Sequence, residues 1–294
     1  MIVTVIGTGL IGGSMALDLK KRKKASKVIG VDKSEAHLEK AKEMGIIDEA
    51  HSLDEAIPVS DLIIIAIPVD NAPAILTQVL DMAKRGATVL DVGSIKSNIC
   101  ATADQHEKRG QFVACHPMAG TEFSGPEAAH YYLFDGKANV ICDSDKSDEA
   151  SLKAVQGIFD TLKMNTIYMN ATEHDRHIAY VSHLSHISSF TLGLTVLDIE
   201  KDEQSIFNMA STGFASTVRL AKSSADMWTP IFHENKDNLV TAIDAYMDKL
   251  KAFKEMIQEG KQDKTHGNIS NANEIKRILE GIELRGKEAA LNTL

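Results

Sequence analysis

Three stretches carry residues whose types and spacing suit proton and anion chemistry. The first is Phe112-Val-Ala-Cys-His-Pro-Met-Ala-Gly-Thr-Glu122, an apolar run that ends in His116 and opens into a small-residue loop. A histidine at the carboxyl end of a strand sits where ligands collect in open α/β sheets, and imidazole exchanges a proton near neutral pH. The second is Gly93-Ser94-Ile-Lys96-Ser97, which follows the apolar run Thr88-Val-Leu-Asp-Val92. There Ser94 would stand at a neighbouring strand tip, able to orient the His116 ring. Serine also caps helices, a role that falls more naturally to Ser97. The third is Val181-Ser182-His183-Leu-Ser-His186 within a mostly apolar helical run. At helical spacing Ser182 shares a face with His186, and His183 and His186 are also neighbours. Polar side chains on an apolar helix are costly unless paired, so the cluster invites a ligand, although His183 reads equally as a satisfied core histidine. Histidines so spaced also suit zinc, but no carboxylate completes a ligand set, and no metal is expected. Further on, Arg219 is a single arginine in a small, apolar segment that ends at Trp228. Its planar fork suits a carboxylate, while on its own it reads as a surface ion-pair partner. The core is the simpler place for Trp228.

These side chains need a scaffold, and the N-terminus supplies its first part. The β-branched run Met1 to Ile6 leads into Gly7-Thr-Gly-Leu-Ile-Gly12, which turns into a helical pattern. Gly7 permits a tight turn, Gly9 lets the backbone approach a pyrophosphate, and Gly12 lets the helix lie close on the strand. The amides of Leu10 and Ile11 open that helix, where unpaired N–H groups favour an anion. A second strand, Lys27 to Val31, ends in Asp32, where a carboxylate can accept bonds from ribose hydroxyls and repel a 2′-phosphate. The pattern therefore predicts a site for NAD rather than NADP.

Strands and helices then alternate to about residue 170. Strands are expected at Asp61–Ile67, Thr88–Val92, Phe112–His116, Ala138–Cys142 and Thr166–Met169, and helices at Ala72–Lys84, about Asn98–Lys108 and about Asp148–Leu162. That order predicts a mostly parallel, doubly wound Rossmann-type sheet over residues 1–170, with antiparallel members among its late strands. Beyond it no strand is expected. One long helix, His174 to Leu197, a final amphipathic helix, Asn238 to about Gln258, a loose linker over Glu259–Asn271, a short helix from Asn273 to about Ile282 and a charged tail make an all-helical half, residues 171–294. The active site is expected between the halves.

Bulk properties exclude several classes. With 294 residues and a net charge of -9, the chain is long enough for two domains and too acidic for a nucleic-acid partner. The basic run Lys20–Lys24 falls at a helix end, where it suits the dipole. Three cysteines without paired spacing fit reduced thiols in a cytoplasm. The N-terminus enters a strand without a charged leader, and the longest apolar run, Leu62 to Val69, is too short for a membrane.

Taken together, Gly7-x-Gly-Leu-Ile-Gly-Gly-Ser14, Gly93-Ser-x-Lys96, His116-Pro-Met-Ala-Gly-Thr-Glu122, Val181-Ser-His-Leu-x-His186 and Arg219 with Trp228 resemble, in order, the prephenate dehydrogenases of tyrosine biosynthesis, over about Met1 to Leu250. The resemblance implies a Rossmann domain joined to a helical domain that forms a homodimer, and NAD-dependent oxidative decarboxylation of prephenate to 4-hydroxyphenylpyruvate. It gives His116 the ring hydroxyl, has Ser94 support it on the nicotinamide side, and assigns carboxylate or side-chain groups to Arg219 and His186, with Ser182, His183 and Thr121 nearby. Ala215 and Ser216 replace a basic residue and an aspartate of many relatives, and Ser185 replaces a proline. Other readings are an arogenate dehydrogenase, a noncatalytic NAD-binding sensor on the same scaffold and, more distantly, a 3-hydroxyacid dehydrogenase.

Overall fold

A computed structural model of the chain describes residues 1–200 and 209–281; the charged tail expected after Ile282 lies outside them. Eight strands make one sheet: β1 (Ile2–Ile6), β2 (Lys27–Val31), β3 (Glu49–Ala50), β4 (Leu62–Ile65), β5 (Thr88–Asp91), β6 (Phe112–Pro117), β7 (Ala138–Cys142) and β8 (Asn165–Met169). They lie in the order β3-β2-β1-β4-β5-β6-β7-β8, parallel throughout except for the antiparallel β6–β7 pair. Helices α1 (Leu10–Lys21), α2 (Glu35–Glu43), α3 (Leu53–Ala56), α4 (Ala72–Met82), α5 (Ser97–Ala103) and α6 (Glu149–Thr161) connect them. The fold is the doubly wound Rossmann-type sheet that the alternation predicts.

Strands buried on both faces read as unbroken apolar runs, and β4 shows why. Its Leu62 and Ile64 join one core cluster with Met15, Leu19 and Phe159, while Ile63 and Ile65 join the opposite cluster with Leu76, Ile99 and Phe112. Chain order reverses between β1 and β4, so the crevice above their carboxyl ends is the topological switch point where such sheets hold ligands. The exits of β5 and β6 extend the same rim towards Ser94 and His116.

After β8 the described chain is helical: α7 (Ala171–Ile178), a π turn (Ala179–His183), α8 (Leu184–Glu200), α9 (Thr212–Thr217), a 3-10 turn (Arg219–Lys222), α10 (Ala225–Glu234), α11 (Lys236–Gln258) and α12 (Gln262–Ala272). Two differences from the sequence reading stand out. The single helix expected from His174 is interrupted by one wider turn, a feature common at functional sites. The linker expected over Glu259–Asn271 is mostly α12, because Gly260 (φ 63°) reverses the chain and Asn268 Nδ2 reaches Met256 Sδ (3.2 Å) on α11. Its polar, glycine-punctuated sequence hides this packing. Residues 275–281 are helical, within the short helix expected there.

One buried ion pair fixes the rim. Asp91 ends β5, and the Lys96 ammonium bonds to its carboxylate and to the Cys115 carbonyl (2.6 Å). Asp91 also accepts the amides of Gly93 (2.9 Å) and Cys115 (3.3 Å). Burial works against the Lys96 charge, but the attraction and hydrogen bond of Asp91 outweigh it and raise the lysine pKa. The loop carrying Ser94 is thereby tied to the residue before His116. Removing one member of such a pair strands the other charge. Lys96→Met is expected to lower stability by about 3–5 kcal/mol in urea denaturation; a loss below about 1 kcal/mol would show that the pair does not hold the rim.

Candidate active site

The glycine turn has the geometry of a phosphate cradle. Gly7 adopts φ 93°, donates to the Val31 carbonyl (2.8 Å), and a Cβ on it would lie 2.3 Å from the Ala66 carbonyl. At Gly12 a Cβ would meet the Gly7 carbonyl at 2.1 Å, so close contact between helix and turn requires both glycines. Gly9 differs, since the nearest atom to an added Cβ is the Gly125 amide at 4.0 Å. Packing does not demand glycine there, whereas a ligand seated against the backbone does. Gly9 also provides no side-chain cap to α1, and no acidic residue occupies its first turn, so the leading amides, including those of Leu10 and Ile11, suit an anion. Asp32 stands at the tip of β2 and accepts from Thr8 N (2.9 Å), Thr8 Oγ1 (3.1 Å) and Ser34 N (3.0 Å). These residues together fit a dinucleotide.

At the β6 tip, His116 Nδ1 lies 2.8 Å from His174 Nε2, and His174 Nδ1 lies 2.8 Å from Asp175 Oδ1. A carboxylate only accepts, so His174 donates from Nδ1 and offers Nε2 as an acceptor. His116 then donates from Nδ1, and its own Nε2 is left unprotonated. That is the form of a general base. Burial chiefly lowers the His116 pKa well below its ordinary value, and the Lys96 ammonium adds to it, so the ring is neutral at pH 7. Burial would raise the Asp175 pKa, but hydrogen bonds from His174, Ser97 and Lys96 outweigh it and keep the group ionised.

Asp175 also closes the start of α5, accepting the backbone amides of Lys96 and Ser97 (both 2.8 Å). The expected cap, Ser97, therefore lies inside the helix, with Lys96 at the N-cap position. A carboxylate from the helical half has taken the role. Ring orientation at His116 likewise comes from His174, while the Ser94 hydroxyl bonds to no other described residue. His174 and Asp175 escaped the sequence reading; the only local sign was an adjacent acid and histidine at the start of a helix.

The π turn places the other histidines. His183 is wholly buried, accepts from Asn235 Nδ2 (3.2 Å) at Nδ1, and meets Trp228 and Phe232 edge-on. The same Asn235 amide donates to the Asp175 carbonyl (2.7 Å). His183 Nε2 and Trp228 Nε1 are buried without a partner among the described residues. His186 stacks on Trp228 with centroids 3.5 Å apart and donates from Nδ1 to the Ser182 carbonyl (3.0 Å). Burial chiefly, with help from Arg219, lowers its pKa despite that bond. Neutral His186 therefore presents Nε2 as an acceptor. Arg219 is exposed, lies in the 3-10 turn, and pairs with no acidic group among the described residues.

Ile95, Ile178, Trp228 and Ile231 form a small apolar cluster with Val69, Met118 and Phe190 packed on it, joining the strand exits to the helical half. From Met118 the loop runs to Gly125, beside Gly9, and to Ala129, which faces Gly13. His116 with His174, and His183 and His186 with Trp228, thus gather where the strand exits meet the helical half. Thr121 is exposed on the loop and bonds only locally, to the Phe123 amide (3.3 Å).

Burial lowers the His183 pKa to about 4. The unfolded chain takes up a proton near pH 6.5 that folded His183 refuses until about pH 4. Stability is therefore intact above pH 6.5 and falls by about 3 kcal/mol as the pH drops through this window. Chemical denaturation from pH 4.5 to 7.5 should show that slope flattened in His183→Gln; an unchanged slope contradicts the assignment.

Comparison with known proteins agrees with this layout. Residues 15–168 match the family model described as prephenate dehydrogenase, nucleotide-binding domain, and residues 170–271 match prephenate dehydrogenase, dimerization domain. The chain is 28% identical to the prephenate dehydrogenase of Bacillus subtilis, over 98% of this chain and 77% of that one. It is 31% identical to that of Lactococcus lactis, over 84% and 69%. The crystal structure of prephenate dehydrogenase from A. aeolicus in complex with hydroxyphenyl propionate and NAD+ superposes with a TM-score of 0.86, at 31% identity, covering 95% and 97% of the two chains. With both halves matched, the chain belongs to the prephenate dehydrogenase family of oxidoreductases.

Proposed function

We propose that this protein is an NAD-dependent prephenate dehydrogenase, which converts prephenate to 4-hydroxyphenylpyruvate in tyrosine biosynthesis. The observation that carries the reading is the directed chain Asp175–His174–His116, which leaves an unprotonated Nε2 at the sheet rim. In support, the A. aeolicus relative was crystallised with NAD+ and with hydroxyphenyl propionate, a phenol bearing a three-carbon acid like that of the product.

In this reading residues 1–170 form the cofactor domain and residues 171–294 the substrate and dimer domain. Gly7, Gly9, Gly12 and the amides of Leu10 and Ile11 hold the pyrophosphate, Asp32 the adenosine ribose, and Ser94 lies on the nicotinamide side. The cofactor, when bound, supplies the hydride acceptor. His116 Nε2 accepts the hydrogen bond of the ring hydroxyl and takes its proton as hydride leaves the same carbon, which becomes a carbonyl carbon. The charge gained by His116 is met through His174 by the Asp175 carboxylate. Loss of carbon dioxide from the opposite ring carbon then returns electrons to the oxygen, and the ring becomes aromatic. His116 can give the proton back. The protein's part in that step is positioning: Arg219 holds a carboxylate, and His186, Ser182, His183 and Thr121 line the approach.

A homodimer fits the exposed apolar side chains on α8 and α11, among them Leu194, Leu197, Val240, Met247, Leu250 and Ile257. No described helix is long and apolar enough to cross a membrane, and a cytoplasmic location is part of the proposal.

The test is the appearance of NADH when purified protein and NAD+ meet prephenate or arogenate. Faster turnover with prephenate is expected, and faster turnover with arogenate overturns the substrate assignment. His116→Asn should lower kcat by about 10²–10⁴ while NADH binding persists. A noncatalytic sensor would show no turnover to lose.

A further inference from the structure

The residue between the first two glycines is not a passive spacer. Thr8 is wholly buried, and both its amide (2.9 Å) and its hydroxyl (3.1 Å) donate to the same oxygen, Oδ2, of Asp32. The other oxygen, Oδ1, accepts the Ser34 amide (3.0 Å) and lies 3.7 Å from His37 Nδ1. A carboxylate offers about four lone-pair sites. Three are occupied by the protein, and the open one lies on Oδ1. The carboxylate is thus held through both oxygens, with one acceptor site left open at the tip of β2.

Among the residues packed here only the backbone donors are dictated by the turn itself; the hydroxyl is a choice of this chain. Thr8 Cγ2 lies beside Gly30 of β2, where an added Cβ would approach it to 3.2 Å. We propose that Thr8 is a specificity-determining positioning residue: its hydroxyl locks Asp32 so that the carboxylate accepts a ribose hydroxyl and opposes a 2′-phosphate. The inference rests on the reading of the crevice as an NAD site and adds the residue that makes the choice sharp.

Thr8→Val keeps the shape and the backbone amide and removes only the hydroxyl. Direct titration of NADH and NADPH fluorescence reads binding without turnover. For the wild type NADH should bind more tightly than NADPH. In Thr8→Val the NADH Kd should rise about 3- to 10-fold, the range of one ordinary net hydrogen bond, with that of NADPH unchanged or lower. Thr8→Ser, which restores a hydroxyl, should recover the wild-type ratio. A Thr8→Val ratio within twofold of wild type, or a parallel loss of both ligands, overturns the inference while leaving the NAD reading intact. A wild type without preference for NADH overturns the NAD reading, and the inference with it.

Discussion

The structure depends on one directed line of hydrogen bonds. Asp175 can only accept, and this sets the tautomer of His174 and then that of His116, two rings away. Without the carboxylate, nothing would decide which nitrogen of His116 carries the proton, and the sheet rim would hold a histidine of undefined polarity. With it, a neutral ring faces the crevice with an acceptor, and any charge that the ring gains has a counterion. Because Asp175 also takes the first amides of α5, the same side chain sets the chemistry of β6 and ties the helical half to the loop that carries Ser94.

Everything around this line keeps it in place. The buried Lys96–Asp91 pair anchors the exits of β5 and β6, so His116 and Ser94 cannot drift apart independently. The cluster of Ile95, Ile178, Trp228 and Ile231 closes the joint with apolar area, and Asn235 links the Asp175 carbonyl to His183. Burying several histidines in one place has a cost in acid stability, because each must stay neutral where an unfolded histidine would charge. The lowered pKa values of His116, His183 and His186 record that cost. An enzyme that needs a neutral base gains from the same burial.

Much of this was legible in the sequence, because it is locally encoded. The glycine turn, Asp32 and the apolar runs of β4, β5 and β6 each carry their own pattern, and strand alternation orders the sheet. His116 is marked by its place at a strand end. What was not legible depends on contacts between distant segments. His174 and Asp175 look like ordinary residues at the start of a helix until the chain folds them against β6 and α5. Capping of α5 by Asp175, 78 residues beyond the capped amide of Ser97, has no local signature. The π turn at Ala179–His183 and the packing of α12 on α11 are likewise imposed by tertiary fit on sequences whose periodicity reads otherwise.

The proton on His116 decides the chemistry of the rim, and nitrogen NMR of histidine-labelled protein at pH 7 reads it directly. His116 is expected to be neutral, protonated at Nδ1 and bare at Nε2, and to lose this single form in Asp175→Asn. A His116 signal showing the proton on Nε2, or an imidazolium at that pH, would contradict it.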